Sequence, residues 1–384
     1  MIYILKFTMK KNYILPFCLV ASIATMLFNS SCKEGHAITE RVAEVCNPLP
    51  MKFGDPFLLH SSDGRYYMYG TSLADGYEAF VSDNLTDWEP CGQVYKGGDS
   101  LQWNVSEFWA PEVYEHDGQF YMFYSATARE NYTGDKENFQ IGVAVADNAA
   151  GPFKDMYDAP IFKATYPVID ANVLFDEVSG KTYLYFSRCC SGHPVESEIA
   201  EEARKAGTYD RIEESWIYGV ELKSDFSGII GEPQLLLAPP TSKSDIQAEW
   251  ESRSVTTGEA GRRWTEGSYV FHRDSIYYMV YSANAYYGPH YAVGYATAKN
   301  PLGPFSKHDG NPVLAENASK GGRVTCTGHN MLLQMPDSTY YTVYHARMVE
   351  DPDNRVVMID RVEFDENGIM TIAGPTTAPQ QIKY

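Results

Sequence analysis

The sequence predicts an all-β chain folded as a five-bladed β-propeller with four-stranded blades, and three observations lead there. A tight turn followed by tyrosine-rich positions recurs five times. The turns are Asp63-Gly64, Asp117-Gly118, Ser179-Gly180, Asp274-Ser275 and Asp337-Ser338, and each opens a run such as Arg65-Tyr66-Tyr67-Met68-Tyr69 or Ile276-Tyr277-Tyr278-Met279-Val280-Tyr281. Aromatic residues make up 14% of the 384 residues, 29 of them Tyr, and such side chains suit a half-buried pleated surface. Each recurring unit has room for four short strands, and units that each form one sheet favour a propeller over a sandwich or barrel.

In the first unit, Phe57 to His60 reads as a strand, Ser61-Ser62-Asp63-Gly64 as a turn and Tyr66 to Thr71 as the return strand. Glu78 to Ser82 and a segment near Gly92 to Tyr95 complete it. The second unit repeats the order with Glu112 to Glu115, Phe120 to Ser125 and Gln140 to Ala146. The fourth gives Tyr269 to His272, Ile276 to Ser282 and Tyr291 to Thr297. Even the ends correspond, Ala150-Gly151-Pro152-Phe153 with Leu302-Gly303-Pro304-Phe305. The third unit is longer than the others. Its segment Pro194 to Trp216, carrying Glu198, Glu201, Glu202, Arg204 and Lys205, reads as a short solvated helix in one insertion after the core strands of blade three. Arg355 to Phe364 is expected among the strands of the fifth blade.

Residues 1–32 read as an export leader: Lys10-Lys11, an apolar stretch from Tyr13 to Phe28, then Asn29-Ser30-Ser31-Cys32. A cysteine after two small residues resembles a bacterial lipoprotein site, and Lys33-Glu34 resembles the surface-export signal of Bacteroidetes lipoproteins. The expectation is a protein lipid-anchored through Cys32 to the outer membrane, at the cell surface or its periplasmic face. Residues 33–48 would form a tether with a first strand, and residues 49–384 one propeller. Five cysteines remain (Cys46, Cys91, Cys189, Cys190, Cys326), an odd number that does not describe a disulfide framework. A net charge of -19 opposes binding to nucleic acid or to anionic membranes.

Counting back eight residues from each turn, nine in the third unit, reaches Asp55, Trp109, Asp170, Glu266 and His329. Equivalent positions of a repeat face one axis, so these five are expected to converge at the mouth of the central channel. Carboxylates gathered there cannot all ionise freely. Their pKa values separate, and one group becomes an acid while another stays a base. Cleavage of a glycosidic bond needs that division.

The ordered set Gly54-Asp55-Pro56-Phe57, Trp109-Ala110-Pro111-Glu112, Ile169-Asp170-Ala171, Thr265-Glu266-Gly267 and Thr327-Gly328-His329-Asn330 resembles glycoside hydrolase family 43, over roughly residues 49–384. The resemblance implies a five-bladed propeller and an inverting hydrolase. Asp55 would be the general base, Asp170 the residue that orients the acid and raises its pKa, and Glu266 the general acid. It also implies a water-coordinated calcium ion in the channel, joined by His329, and an arginine against the substrate, for which Arg355 and Arg347 compete. Trp109 would stack on a sugar, and Phe53 and Tyr286-Tyr287 would furnish further walls. Glu249 and Glu251 are rivals for the acid but lack the shared register.

The activity so implied is an exo-acting α-L-arabinofuranosidase on side chains of plant-type polysaccharides or oligosaccharides. β-Xylosidase, β-galactofuranosidase and endo-arabinanase are the alternatives within the family. Outside it stand a non-catalytic sugar-binding surface lipoprotein and a glycoside phosphorylase, the latter with Arg262-Arg263 as its phosphate site. A retaining fructosidase is disfavoured, because Phe53-Gly54-Asp55-Pro56 stands where Asn-Asp-Pro is usual.

Overall fold

The computed structural model describes residues 41–384, so the leader and the lipid site at Cys32 lie outside the described residues. Five four-stranded antiparallel sheets follow one another, each made from one stretch of chain. The innermost strands are Gly54–His60, Asn104–His116, Val168–Asp176, Thr265–Arg273 and Val324–Gln334. Each touches the next and the fifth touches the first, which closes a five-bladed propeller by packing. The first and last described strands form a separate ribbon in which Val42–Val45 pairs with Gln380–Lys383. Asn47 is fastened to blade five, its amide donating to Ile359 O at 2.7 Å and accepting from Ile359 N at 2.9 Å. The folded body thus begins ahead of residue 49, the boundary the sequence suggested.

The tyrosine runs have a physical explanation. Second strands such as Tyr66–Thr71 and Ile276–Ala283 are covered on both faces by neighbouring blades, so nearly every residue is buried. A buried phenol needs a hydrogen-bond partner. Tyr69 donates to Ala149 O at 2.7 Å, Tyr185 to Pro301 O at 2.8 Å and Tyr278 to Gly368 O at 2.8 Å, each on the following blade. Ala149 and Pro301 precede the corresponding Gly-Pro-Phe ends, so the two rhyming features of the sequence meet across the blade interfaces.

The register at the channel mouth differs from the one counted in the sequence. Every innermost strand carries a bulge whose first residue has left-handed backbone: Asp55 (φ 54°), Ala110 (φ 45°), Asp170 (φ 59°), Gly267 (φ 57°) and His329 (φ 50°). Trp109 and Glu266 lie one residue upstream, at the position of Gly54, Ile169 and Gly328. The cause is hairpin length. Asp117-Gly118 and Asp274-Ser275 are complete two-residue turns, whereas residues 61–65 and 335–339 form longer loops with the Asp in the middle.

The insertion is also more than one segment. Residues 189–215 leave blade three between its second and third strands, Lys181–Arg188 and Trp216–Leu222. They hold the expected helix, Glu198–Ala206, capped by Ser197 and ended by left-handed Gly207. A second excursion, residues 238–264, precedes blade four and contains a short helix, Arg253–Thr256. The two excursions pair in parallel through Glu213–Glu214 and Arg262–Arg263, and Ile199, Ala200, Ala203, Ile212 and Val255 form a small core between them. Arg263 and Glu214 form an ion pair with neither side chain exposed, and Arg263 also donates to Pro240 O at 2.9 Å and Ser252 Oγ at 3.1 Å.

Candidate active site

A cavity of about 790 Å³ opens over the channel mouth and is lined by Asp55, Asp170, Glu266, Trp109, His329 and Arg355. Blade two adds Glu137 and Phe139 to its wall. The paired excursions add Arg211, Glu213, Glu259, Arg262 and Trp264, and the blade-four loop adds Tyr286, Tyr287 and Tyr291.

Asp55 is held at both oxygens. Oδ1 lies 2.9 Å from Arg355 Nη1 and 3.2 Å from His329 Nδ1, while Oδ2 accepts from the Thr71 hydroxyl at 2.6 Å. Burial acts to raise its pKa, but Arg355, His329 and His345, whose Nδ1 lies 3.3 Å from Oδ1, together outweigh burial and hold the carboxyl well below the usual range. Asp55 is therefore ionised at neutral pH.

Glu266 has the opposite environment. Burial raises its pKa well above the usual glutamate value, the negative charge of Asp170 raises it further, and the Tyr291 hydroxyl opposes both by donating to Oε1 at 3.0 Å. Asp170 is also raised, by burial first, with His329 opposing and Asp55 assisting. Its Oδ2 accepts from Ser187 Oγ at 3.0 Å and from the Gly267 amide at 3.2 Å. One carboxylate held ionised beside one held protonated provides a base and an acid in one cavity.

Two motif glycines owe their identity to close approach. A Cβ at Gly54 would lie 1.8 Å from Arg355 Cζ, and one at Gly328 would lie 2.1 Å from the Tyr291 ring. Only a bare Cα lets the guanidinium reach Asp55 and the phenol reach Glu266.

The other expected residues divide. Trp109 lines the cavity and packs on Phe139 with ring centroids 4.5 Å apart. Arg355 lines it too, and its guanidinium lies 5.2 Å from the centre of the Tyr286 ring. Arg347 does not line it. Arg347 pairs with Arg355 across the sheet and turns away to donate to Pro352 O at 2.5 Å, so the competition between the two arginines falls to Arg355 by placement. Phe53 is a correction: it is 4% exposed, packs against Phe80 and lies over Gly70, inside the core rather than at the cavity. Glu251 is buried against Lys307 at 2.6 Å and Tyr281 at 2.7 Å, away from the cavity lining. Cys189 and Cys190 are free thiols, and Cys189 lines the cavity.

Calcium takes six to eight oxygen ligands. Among the described residues no group of three or more His, Cys, Asp or Glu side chains is placed to hold a metal. His329 is at most one protein ligand, so this donor set fits only an ion held mainly by water.

Thr71, Ser187, Tyr291 and His345 act on the carboxylates but were not singled out in the sequence. A signal for three of them exists: Tyr69-Gly70-Thr71, Tyr124-Ser125, Phe186-Ser187, Tyr281-Ser282 and Tyr344-His345 put an aromatic residue just ahead of a hydroxyl or imidazole late in each second strand.

A five-bladed propeller with an ionised and a protonated carboxyl facing one cavity defines the glycosidase class. Residues 46–370 match Glycosyl hydrolases family 43, and the chain belongs to that family of glycoside hydrolases. A thermostable family-43 glycoside hydrolase of known structure is 34% identical, covers 87% of this chain and 97% of its own, and superposes with a TM-score of 0.72. The beta-D-galactofuranosidase of Aspergillus niger is 26% identical over 80% of this chain and 78% of its own length. A xylosidase/arabinosidase of Bacteroides ovatus is 24% identical over 65% of this chain and 74% of its own.

Proposed function

We propose that this glycoside hydrolase is an inverting, exo-acting α-L-arabinofuranosidase acting on side chains of plant-type polysaccharides or oligosaccharides. The opposed environments of Asp55 and Glu266 carry the acid–base part of the reading, and inversion rests on the likeness of the motif set to family 43. Asp55 takes a proton from the attacking water, which adds to the anomeric carbon as the glycosidic bond breaks. Glu266 gives its proton to the departing oxygen, and Asp170 keeps that acid protonated until it is needed. Arg355 fixes the base, and Trp109 supplies an apolar face for the sugar. The exo part rests on the wall raised by the paired excursions, which bounds the cavity on one side.

The furanose part rests on chemistry shared by two relatives. A β-D-galactofuranosyl and an α-L-arabinofuranosyl unit have the same ring configuration, so one pocket plan suits both the galactofuranosidase and the xylosidase/arabinosidase. The test is a panel of aryl arabinofuranoside, xyloside and galactofuranoside with NMR detection of the first-formed anomer. Arabinofuranoside should turn over fastest and give the inverted sugar. Retention would refute the mechanism, and a xyloside preference would refute the sugar.

A water-held calcium with His329 as its protein ligand, and a lipid on Cys32 that anchors the enzyme to the outer membrane, belong to the same proposal. Calcium would add positive charge beneath the carboxylates. Labelling by a fatty-acid analogue, lost in Cys32→Ala, tests the anchor.

A further inference from the structure

Four of the five left-handed residues at the channel-mouth bulges, Asp55, Ala110, Asp170 and His329, are not glycine and are strained there, so something must hold them. In every blade the holder comes from the preceding blade. The Ala110 amide donates to Thr71 Oγ1 at 2.9 Å, that of Asp170 to Ser125 Oγ at 3.0 Å and that of Gly267 to Ser187 Oγ at 3.3 Å. The His329 amide donates to Ser282 Oγ at 2.7 Å, and the Asp55 amide closes the circle by donating to His345 Nδ1 at 3.1 Å. The five acceptors occupy one position of the second strand, paired with Gly54, Trp109, Ile169, Glu266 and Gly328.

The hydroxyl protons of this belt point to the chemistry. Thr71 donates to Asp55 Oδ2 at 2.6 Å and Ser187 to Asp170 Oδ2 at 3.0 Å. On blade four the carboxyl is held by Tyr291, which donates to Glu266 Oε1 at 3.0 Å, and the Gly267 amide beside that carboxyl is held by Ser187. Thr71 and Ser187 each tie a carboxyl on their own blade to the bulge amide of the next.

His345 is the exception. In accepting from the Asp55 N–H, Nδ1 presents a lone pair and the ring proton goes to Nε2, a buried atom with no protein partner among the described residues; Nδ1 also lies 3.3 Å from Asp55 Oδ1, so the imidazole contacts the base at both its amide and its carboxylate. The imidazole is fully buried and stacks on Tyr291 with centroids 5.5 Å apart and planes 12° from parallel.

We propose that these five side chains are a positioning belt that aims all three carboxyls, and that His345 is the positioning residue that sets the backbone of Asp55. The proposal rests on the reading of Asp55 as base. His345 fixes Asp55 through its amide and Thr71 fixes it through its carboxylate, so the base is clamped at both ends without either residue touching substrate.

The test compares His345→Asn, whose Oδ1 stands where Nδ1 stood, with His345→Leu, which has no acceptor. Both are made in the full chain and assayed on the best aryl glycoside with an activated and a poor leaving group. His345→Leu should lower kcat about 100-fold, the cost of a misplacement near 1 Å. KM should stay within about threefold, and the loss should be the same for both leaving groups, because water attack is what is misaimed. His345→Asn should keep at least about a tenth of wild-type kcat. Equal losses in the two variants, or a leucine variant within about threefold of wild type, overturn the proposal. If His345→Leu does not fold, Thr71→Val against Thr71→Ser asks the same question from the carboxylate end, with loss expected in the first only. Asp55→Asn is the control. If it is inactive while His345→Leu is normal, the belt alone is refuted; if it stays active, the base assignment falls and the belt with it.

Discussion

Glu266→Gln is the most informative single change. The wild-type side chain is buried, is held neutral by burial and by Asp170, and accepts from Tyr291 at one oxygen. Glutamine has the same shape and no charge, and its carbonyl can still accept from Tyr291. The cavity and the field on Asp55 are thereby preserved, and the one thing lost is a transferable proton. General acid catalysis contributes about 10²–10⁴-fold, equivalent to roughly 3–5 kcal/mol of barrier. That full loss should appear in kcat for substrates whose leaving oxygen needs protonation. For a dinitrophenyl glycoside, whose leaving group departs unaided, kcat should fall less than about tenfold. The assay is a series of aryl glycosides of graded leaving-group pKa, read as the slope of log kcat. The mutant slope should steepen while KM holds steady. A loss of equal size along the whole series would refute the acid role of Glu266. Asp55→Asn gives the complementary pattern, with near-abolition at every leaving group, because water activation is needed whatever departs.

Three further outcomes are expected. Asp170→Asn removes the charge that, after burial, does most to keep Glu266 protonated. The acid then loses its proton at lower pH, so the descending limb of the kcat profile moves to lower pH; an unmoved limb rejects that role. Arg263→Met leaves Glu214 buried without its cation and should cost about 3–5 kcal/mol, measured by chemical denaturation. Replacing both partners with apolar residues should recover part of that loss, and an additive double mutant would show that the pair is not coupled. Prolonged dialysis against a chelator should lower activity, with recovery on adding calcium. Full activity with no metal detected by elemental analysis would remove the ion from the proposal.

The fold was legible because five units repeat one phrase, and the phrase has a physical cause in tyrosines that must satisfy their hydroxyls across blade interfaces. Asp55, Asp170 and His329 were legible because their turns stand at matching distances. Trp109 and Glu266 also line the cavity, yet the counting that reached them assumed hairpins of equal length, and the two-residue turns of blades two and four place them one step upstream. Phe53 and Arg347 failed for a different reason. Phe53 packs on Phe80 and over Gly70, and Arg347, although directly opposite Arg355 in the ladder, folds back onto Pro352 O; neither contact can be read from position along the chain. His345 and Tyr291 were hidden because their role is defined by partners on other blades and strands, which a repeat read one unit at a time does not reveal. The paired excursions escaped because a parallel contact between segments about 50 residues apart leaves no local periodicity.

Val42–Val45 and Gln380–Lys383 are zipped to each other rather than to any blade. Propellers commonly lock shut by letting one terminus complete the sheet begun by the other, whereas here every sheet is whole without such an exchange. This strand pair is thus a fastening added to sheets that are already whole. A circularly permuted gene that fuses residue 384 to residue 41 and starts the polypeptide at the exposed Asp117-Gly118 hairpin would leave blade two to be completed by strands from both new ends, the kind of closure this ring otherwise does without.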